Sequence, residues 1–151
     1  MIKKFIEKWD KNRNKLEEYF RKTKQQDYGD YEGIVKKVVE IILNFNEDEN
    51  SFNDTFSVED LVVIDNGDFQ GMQLFITHIE TYQPDFDDYI VFNNYYGSCS
   101  GCDTLLSISE YDEELPTEQQ IKGYMQLALH LIQTAKWLDC DKNIKEEKEW
   151  S

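Results

Sequence analysis

The apolar residues of this chain change their spacing twice, and the changes divide its 151 residues into helix, sheet and helix. Ile2, Phe5, Ile6, Trp9, Leu16 and Phe20 recur at steps of three and four with charges between them, which predicts a helix over 2–25. A break at 27–33 precedes a second helix over 30–45, with Ile34, Val35, Val38, Val39, Ile42 and Leu43 on one side. Residues 44–57 are polar and acidic and read as a loop. Leu61-Val62-Val63-Ile64 is then a short branched run that ends in Asp65-Asn66-Gly67-Asp68, which is turn chemistry. Strands are expected over 72–79 and 89–96, with a Pro84-containing loop at 80–88 between them. Short polar connections between consecutive strands predict an antiparallel meander. A tight loop at 97–102 and a short helix at 103–109 follow. Pro116-Thr117-Glu118 then opens a helix to about 138, with Ile121, Tyr124, Met125, Ala128, Leu131, Ile132 and Ala135 as its stripe.

These elements define an α+β protein: a small antiparallel three-stranded sheet packed with N-terminal and C-terminal helices. Residues 1–139 are expected to form a single domain, and 140–151 a charged tail that frays. The chain is 40% hydrophobic and 14% aromatic, enough to bury a core and too much for a disordered chain.

Charge is segregated along the same divisions. From 38 to 121 there are 84 residues without a Lys or Arg, and these carry 19 Asp and Glu. Residues 1–45 hold 11 basic and 8 acidic residues, and 122–151 hold 5 of each. The net charge of −15 therefore belongs to the middle of the chain. Such a charge disfavours non-specific binding to nucleic acid or anionic membrane and favours basic partners. Three acidic segments fall in predicted loops: Glu47-Asp48-Glu49, Asp85-Phe86-Asp87-Asp88 and Asp112-Glu113-Glu114. Tyr82, Phe86, Tyr95, Tyr96 and Tyr111 interleave with them. Carboxylates with aromatic anchors suit docking on a basic groove, so Asp85, Asp87, Asp88, Asp112, Glu113 and Glu114 are candidate partner-binding residues. Solvated loops beside core aromatics would give the same pattern.

Met1-Ile2-Lys3-Lys4-Phe5 begins a mixed-charge amphipathic pattern, so no signal peptide is expected. No apolar run approaches the roughly 18 residues of a membrane span. The expected location is the cytosol, where cysteines serve as thiols or metal ligands rather than as a disulfide framework.

Cys99 and Cys102 are spaced so that a tight turn, eased by Gly101, would aim both sulfurs at one zinc ion. Ordinary thiols or a redox pair are the alternatives. One structural zinc per chain is expected, with two further ligands to find. His78 is disfavoured, because a hairpin of 72–79 and 89–96 would place it roughly 20 Å from the cysteine loop. The same hairpin brings Asp65 and Asp68 to the cysteine end. Asp103 adjoins Cys102. His130 shares a helical face with Gln126, Gln133 and Trp137, where a histidine is ordinarily solvated, and is the expected third ligand. Cys140 could join it only if the helix ended early, since ten helical residues span about 15 Å.

His78-Ile79-Glu80 followed by Cys99-Ser100-Gly101-Cys102 resembles the zinc deaminase signature, in which the His and both Cys hold zinc and the Glu shuttles protons. The family's proline before the first Cys is replaced by Ser98, and His78 sits in a strand pattern where that family has a helix. No phosphate loop or nucleophile elbow is visible, and a non-enzymatic role is expected.

The turn Asp65-Asn66-Gly67-Asp68-Phe69-Gln70-Gly71, the block Tyr95-Tyr96-Gly97-Ser98-Cys99-Ser100-Gly101-Cys102-Asp103 and the helix Leu127-Ala128-Leu129-His130-Leu131-Ile132-Gln133 together resemble a group of small phage and prophage proteins. Small acidic phage proteins of this kind include anti-CRISPR inhibitors of the type II effector nuclease. The resemblance implies a zinc-binding inhibitor in the host cytosol that binds this nuclease and blocks its loading of target DNA. The effector holds nucleic acid in positively charged channels, which an acidic face could engage.

Overall fold

The computed structural model describes residues 2–27, 29–44, 55–68, 70–98, 103–109 and 114–150, with side chains through 146. Helix α1 spans Ile2–Lys22 and buries Phe5, Trp9, Asn12, Leu16 and Phe20, one residue per turn along a single stripe. Arg21 and Lys22 sit in its last turn, where the helix dipole favours cations. Helix α2 spans Tyr31–Lys37; the Asp30 carboxylate caps it by accepting from the Gly33 amide at 2.9 Å.

The helix does not end at Lys37 but widens into a π-helical segment, Val38–Leu43. Its extra residue per turn lets Val38, Val39, Ile42 and Leu43 all turn inward. The carbonyls at its end are met from α1: Asn12 Nδ2 donates to Ile42 O at 2.9 Å and Lys8 Nζ to Leu43 O at 2.6 Å. That contact explains why Asn12 is buried on an otherwise apolar stripe. Asn44 then exchanges two hydrogen bonds with Phe56, Nδ2 to O at 2.8 Å and N to Oδ1 at 2.7 Å.

The sheet has four strands, not three, in the order β1 (Val62–Asp65), β2 (Gly71–His78), β3 (Tyr89–Tyr96) and β4 (Lys136–Trp137). All neighbours are antiparallel. Helix α3 (Thr104–Ile108) and helix α4 (Glu118–Gln133) lie between β3 and β4 in the chain. The fourth strand arises because α4 stops at Gln133, short of the expected end near 138. The Thr134 hydroxyl donates to Leu131 O and accepts from the Asn93 amide at 3.1 Å, so the chain leaves the helix beside β3. Trp137 then pairs with Ile90 and Lys136 with Val91.

The last stretch, expected to fray, forms helix α5 (Cys140–Trp150). Trp137 anchors it. The backbone of Trp137 exchanges hydrogen bonds with the Asn143 amide at 2.9 and 2.7 Å. Its indole N–H donates to Glu146 at 2.7 Å, and the Lys142 ammonium lies 3.5 Å from its ring centroid.

Alternation along the strands sets two faces. Val63, Phe75 and Phe92 form one cross-strand row, and Thr77, Ile90 and Trp137 another. These rows face the helices: Phe75, Ile90 and Phe92 are fully buried with Leu16, Ile34, Ile42, Leu105, Tyr124 and Leu131. The Phe20 and Tyr124 rings meet at 5.2 Å and tie α1 to α4. No helix among the described residues is long and apolar enough to cross a membrane.

Candidate functional site

Three regions of the sheet carry the polar and exposed groups that the fold leaves available. The first is the end where β3 leaves the sheet. Cys99 and Cys102, the expected zinc ligands, lie outside the described residues. Asp103, which follows them in the chain, is buried. Asp103 Oδ2 accepts from the Gly97 amide at 3.0 Å. Oδ1 accepts from the Tyr31 hydroxyl at 2.6 Å and from the Leu106 amide at 3.0 Å, capping α3. Burial first, and then this carboxylate, push the Tyr31 phenol far above the usual range, so it stays protonated. Both oxygens of Asp103 are occupied, and its candidacy as a ligand gives way to a structural role.

Asp65 is occupied as well. Its Oδ1 accepts from the Tyr96 hydroxyl at 2.6 Å and the Gly67 amide at 2.9 Å. The Tyr96 hydrogen bond is the main cause that holds the Asp65 carboxyl below its ordinary value, and Asp65 pushes Tyr96 up to about 12. Gly67 is required in this turn: a Cβ there would stand 2.0 Å from Gln70 O. Asp68 is exposed beside the turn. His130 is exposed on α4, on the side away from Leu127, Ala128 and Leu131. Cys140 is exposed at the start of α5.

The opposite end of the sheet gathers Asp60, His78, Asp85, Asp87 and Asp88. His78 ends β2, with Nδ1 2.8 Å from Ile79 O and Nε2 2.9 Å from Asp60 Oδ2. Two acceptors favour a ring that donates from both nitrogens. The Ile79 carbonyl and then Asp60 raise the His78 pKa above its ordinary value, against the opposing effect of burial. Because the folded value is the higher one, the stabilisation is complete below about pH 6.5, the ordinary imidazole value. It is lost as pH rises through the folded pKa. Denaturation of the wild type against His78→Gln between pH 5 and 8 is expected to show that slope in the wild type alone; matching slopes would contradict it. Glu80 accepts from the Thr55 hydroxyl at 3.1 Å, and 79–88 hold only the 3₁₀ turn Phe86–Asp88, so the helix of the deaminase signature has no counterpart here.

Asp85, Asp87 and Asp88 bring carboxylate oxygens within 4.8 Å of one another, the one such convergence of ligand-type groups among the described residues. It contains neither thiol nor imidazole, unlike a structural zinc site. A reciprocal cap between Asp85 and Asp88 explains the proximity. Asp85, Asp87 and Asp88 stand at the sheet end, whereas the Glu114 carbonyl accepts from the Gln25 amide after α1. Asp112 and Glu113 lie outside the described residues.

The third region, unforeseen from the sequence, is the face of the sheet turned away from the core. Its rows are His78–Tyr89, Val62–Ile76–Val91–Lys136, Ile64–Leu74–Asn93 and Met72–Tyr95. Val62 is 56%, Ile64 50% and Tyr95 71% exposed. The signal was available: Leu61–Ile64, Leu74-Phe75-Ile76 and Ile90-Val91-Phe92 are unbroken apolar runs, not the alternation of a sheet with one wet face.

No protein-family model matches the chain, and searches of curated proteins and of solved structures return no match.

Proposed function

We propose that this chain is a non-enzymatic binding protein that docks its acidic sheet half on a basic protein partner. The observation that carries this reading is the distribution of ion pairs. Arg21, Lys22, Lys36 and Lys37 are taken up by Glu17, Glu18, Glu32, Glu40 and Glu118, which are all helical. Among the described residues, Glu59, Asp65, Asp68, Glu80, Asp85, Asp87 and Asp88 make no ion pair with Lys or Arg. Uncompensated like charges repel one another, and a basic surface relieves that repulsion while steering the encounter. The type II CRISPR nuclease, implied by the resemblance to small phage proteins, is the first partner to test, and blocking of its target-DNA loading is the expected effect. The reading stands without the zinc expectation, whose two cysteines lie outside the described residues.

The test reverses acids that hold nothing in place. Asp85 and Asp88 cap their own turn, so the clean positions are Glu59, Asp68 and Asp87, all exposed. The triple change to Lys is expected to weaken binding to the purified nuclease about 100-fold, with the melting temperature nearly unchanged. Binding that is unaltered in this variant would reject the acidic sheet half as the contact. Wild-type protein that does not bind would remove this nuclease as the partner.

A further inference from the structure

We infer that the open face of the sheet is the contact surface itself, and that its occupant is a basic amphipathic helix of the partner. The inference rests on the basic-partner reading and specifies it. The strands are apolar on both faces, a pattern that belongs to sheets covered on both sides. Here α1 and α4 supply the core on one side, and the exposed Val62, Ile64 and Tyr95 with the half-buried Leu74, Ile76 and Val91 form the other. A contiguous apolar patch of this kind, open to solvent in part, marks an interaction site.

Charge selects the occupant. The antiparallel meander puts Asp60, Asp85, Asp87 and Asp88 beyond one end of the apolar strip and Asp68, in the turn between β1 and β2, beyond the other. Lys136, on β4, is the one Lys or Arg in the cross-strand rows of this face. A second copy would bring the same carboxylates together at both ends, on a chain of net charge −15. A partner with Lys or Arg at both ends of an apolar stripe meets opposite charge at both ends instead. Length agrees as well: strands β2 and β3 are 8 residues each, about 26 Å, close to the roughly 27 Å of an 18-residue helix.

The probe is a fluorescein-labelled 18-residue Leu/Lys peptide with its leucines on one helical face, compared with a shuffled peptide of identical composition. Anisotropy at 150 mM salt is expected to show the amphipathic peptide binding at least tenfold more tightly. Ile64→Glu and Tyr95→Ser should each bring it down to the level of the shuffled peptide, at unchanged melting temperature. Tyr95→Ser alone decides the matter if Ile64→Glu fails to fold. Equal binding of both peptides, insensitive to these variants, would overturn the sheet face and leave the basic-partner reading standing. Binding of neither peptide would overturn both. A concentration-dependent doubling of mass in light scattering, abolished by Tyr95→Ser, would assign the face to a second copy and overturn the helix.

Discussion

Asp103→Ala is expected to cost about 3 kcal/mol of stability and to lower the melting temperature by about 9 °C. The side chain is buried and accepts three hydrogen bonds, from Tyr31, Gly97 and Leu106. Alanine removes a helix cap worth about 1 kcal/mol. It also leaves the buried Tyr31 hydroxyl and the half-buried Gly97 amide without their acceptor, and a stranded buried donor costs more than the bond itself contributes. Asp103→Asn keeps one carbonyl oxygen and should lose about half as much. Urea denaturation with circular dichroism reads both variants. A loss below about 1 kcal/mol for the alanine variant would mean that the Tyr31, Gly97 and Leu106 donors are satisfied by something else.

Phe92→Ala is expected to cost about 3–5 kcal/mol, while Tyr95→Ala, three residues along the same strand, changes stability by less than about 0.5 kcal/mol. Phe92 is fully buried in the row with Val63 and Phe75, whereas Tyr95 is 71% exposed. Two aromatic truncations of similar size on one strand differ only in the face they occupy. Comparable losses would mean that Tyr95 is covered and that the outer face is not open.

The spacing of apolar residues made α1, α4 and the meander legible, and β3 falls at 89–96 as its pattern required. What escaped has physical reasons. Val38, Val39, Ile42 and Leu43 fit an α-helical stripe as well as a π-helical one, and the choice depends on α1 side chains that reach the segment's last carbonyls. β4 is two residues long, too short for any period, and exists because Thr134 binds both α4 and β3. α5 is charged and polar, and its order comes from docking on Trp137 rather than from its own apolar residues. At the candidate site, proximity to a cysteine suggested a ligand role for Asp103, whereas its place directly before Thr104-Leu105-Leu106 marked a helix cap. The second apolar face was written in the unbroken strand runs, which speak of cover without naming its source.

The pairing of acids with Lys and Arg on the helices, against carboxylates of the sheet half that have no such partner, makes the molecule an electric dipole as well as an acid. In the field of a basic body such a particle feels a torque as well as a pull. It turns its sheet forward before contact, at separations comparable to the Debye length of about 8 Å in physiological salt. Of all the orientations in which two proteins can collide, most are unproductive, and a built-in heading discards many of them in advance.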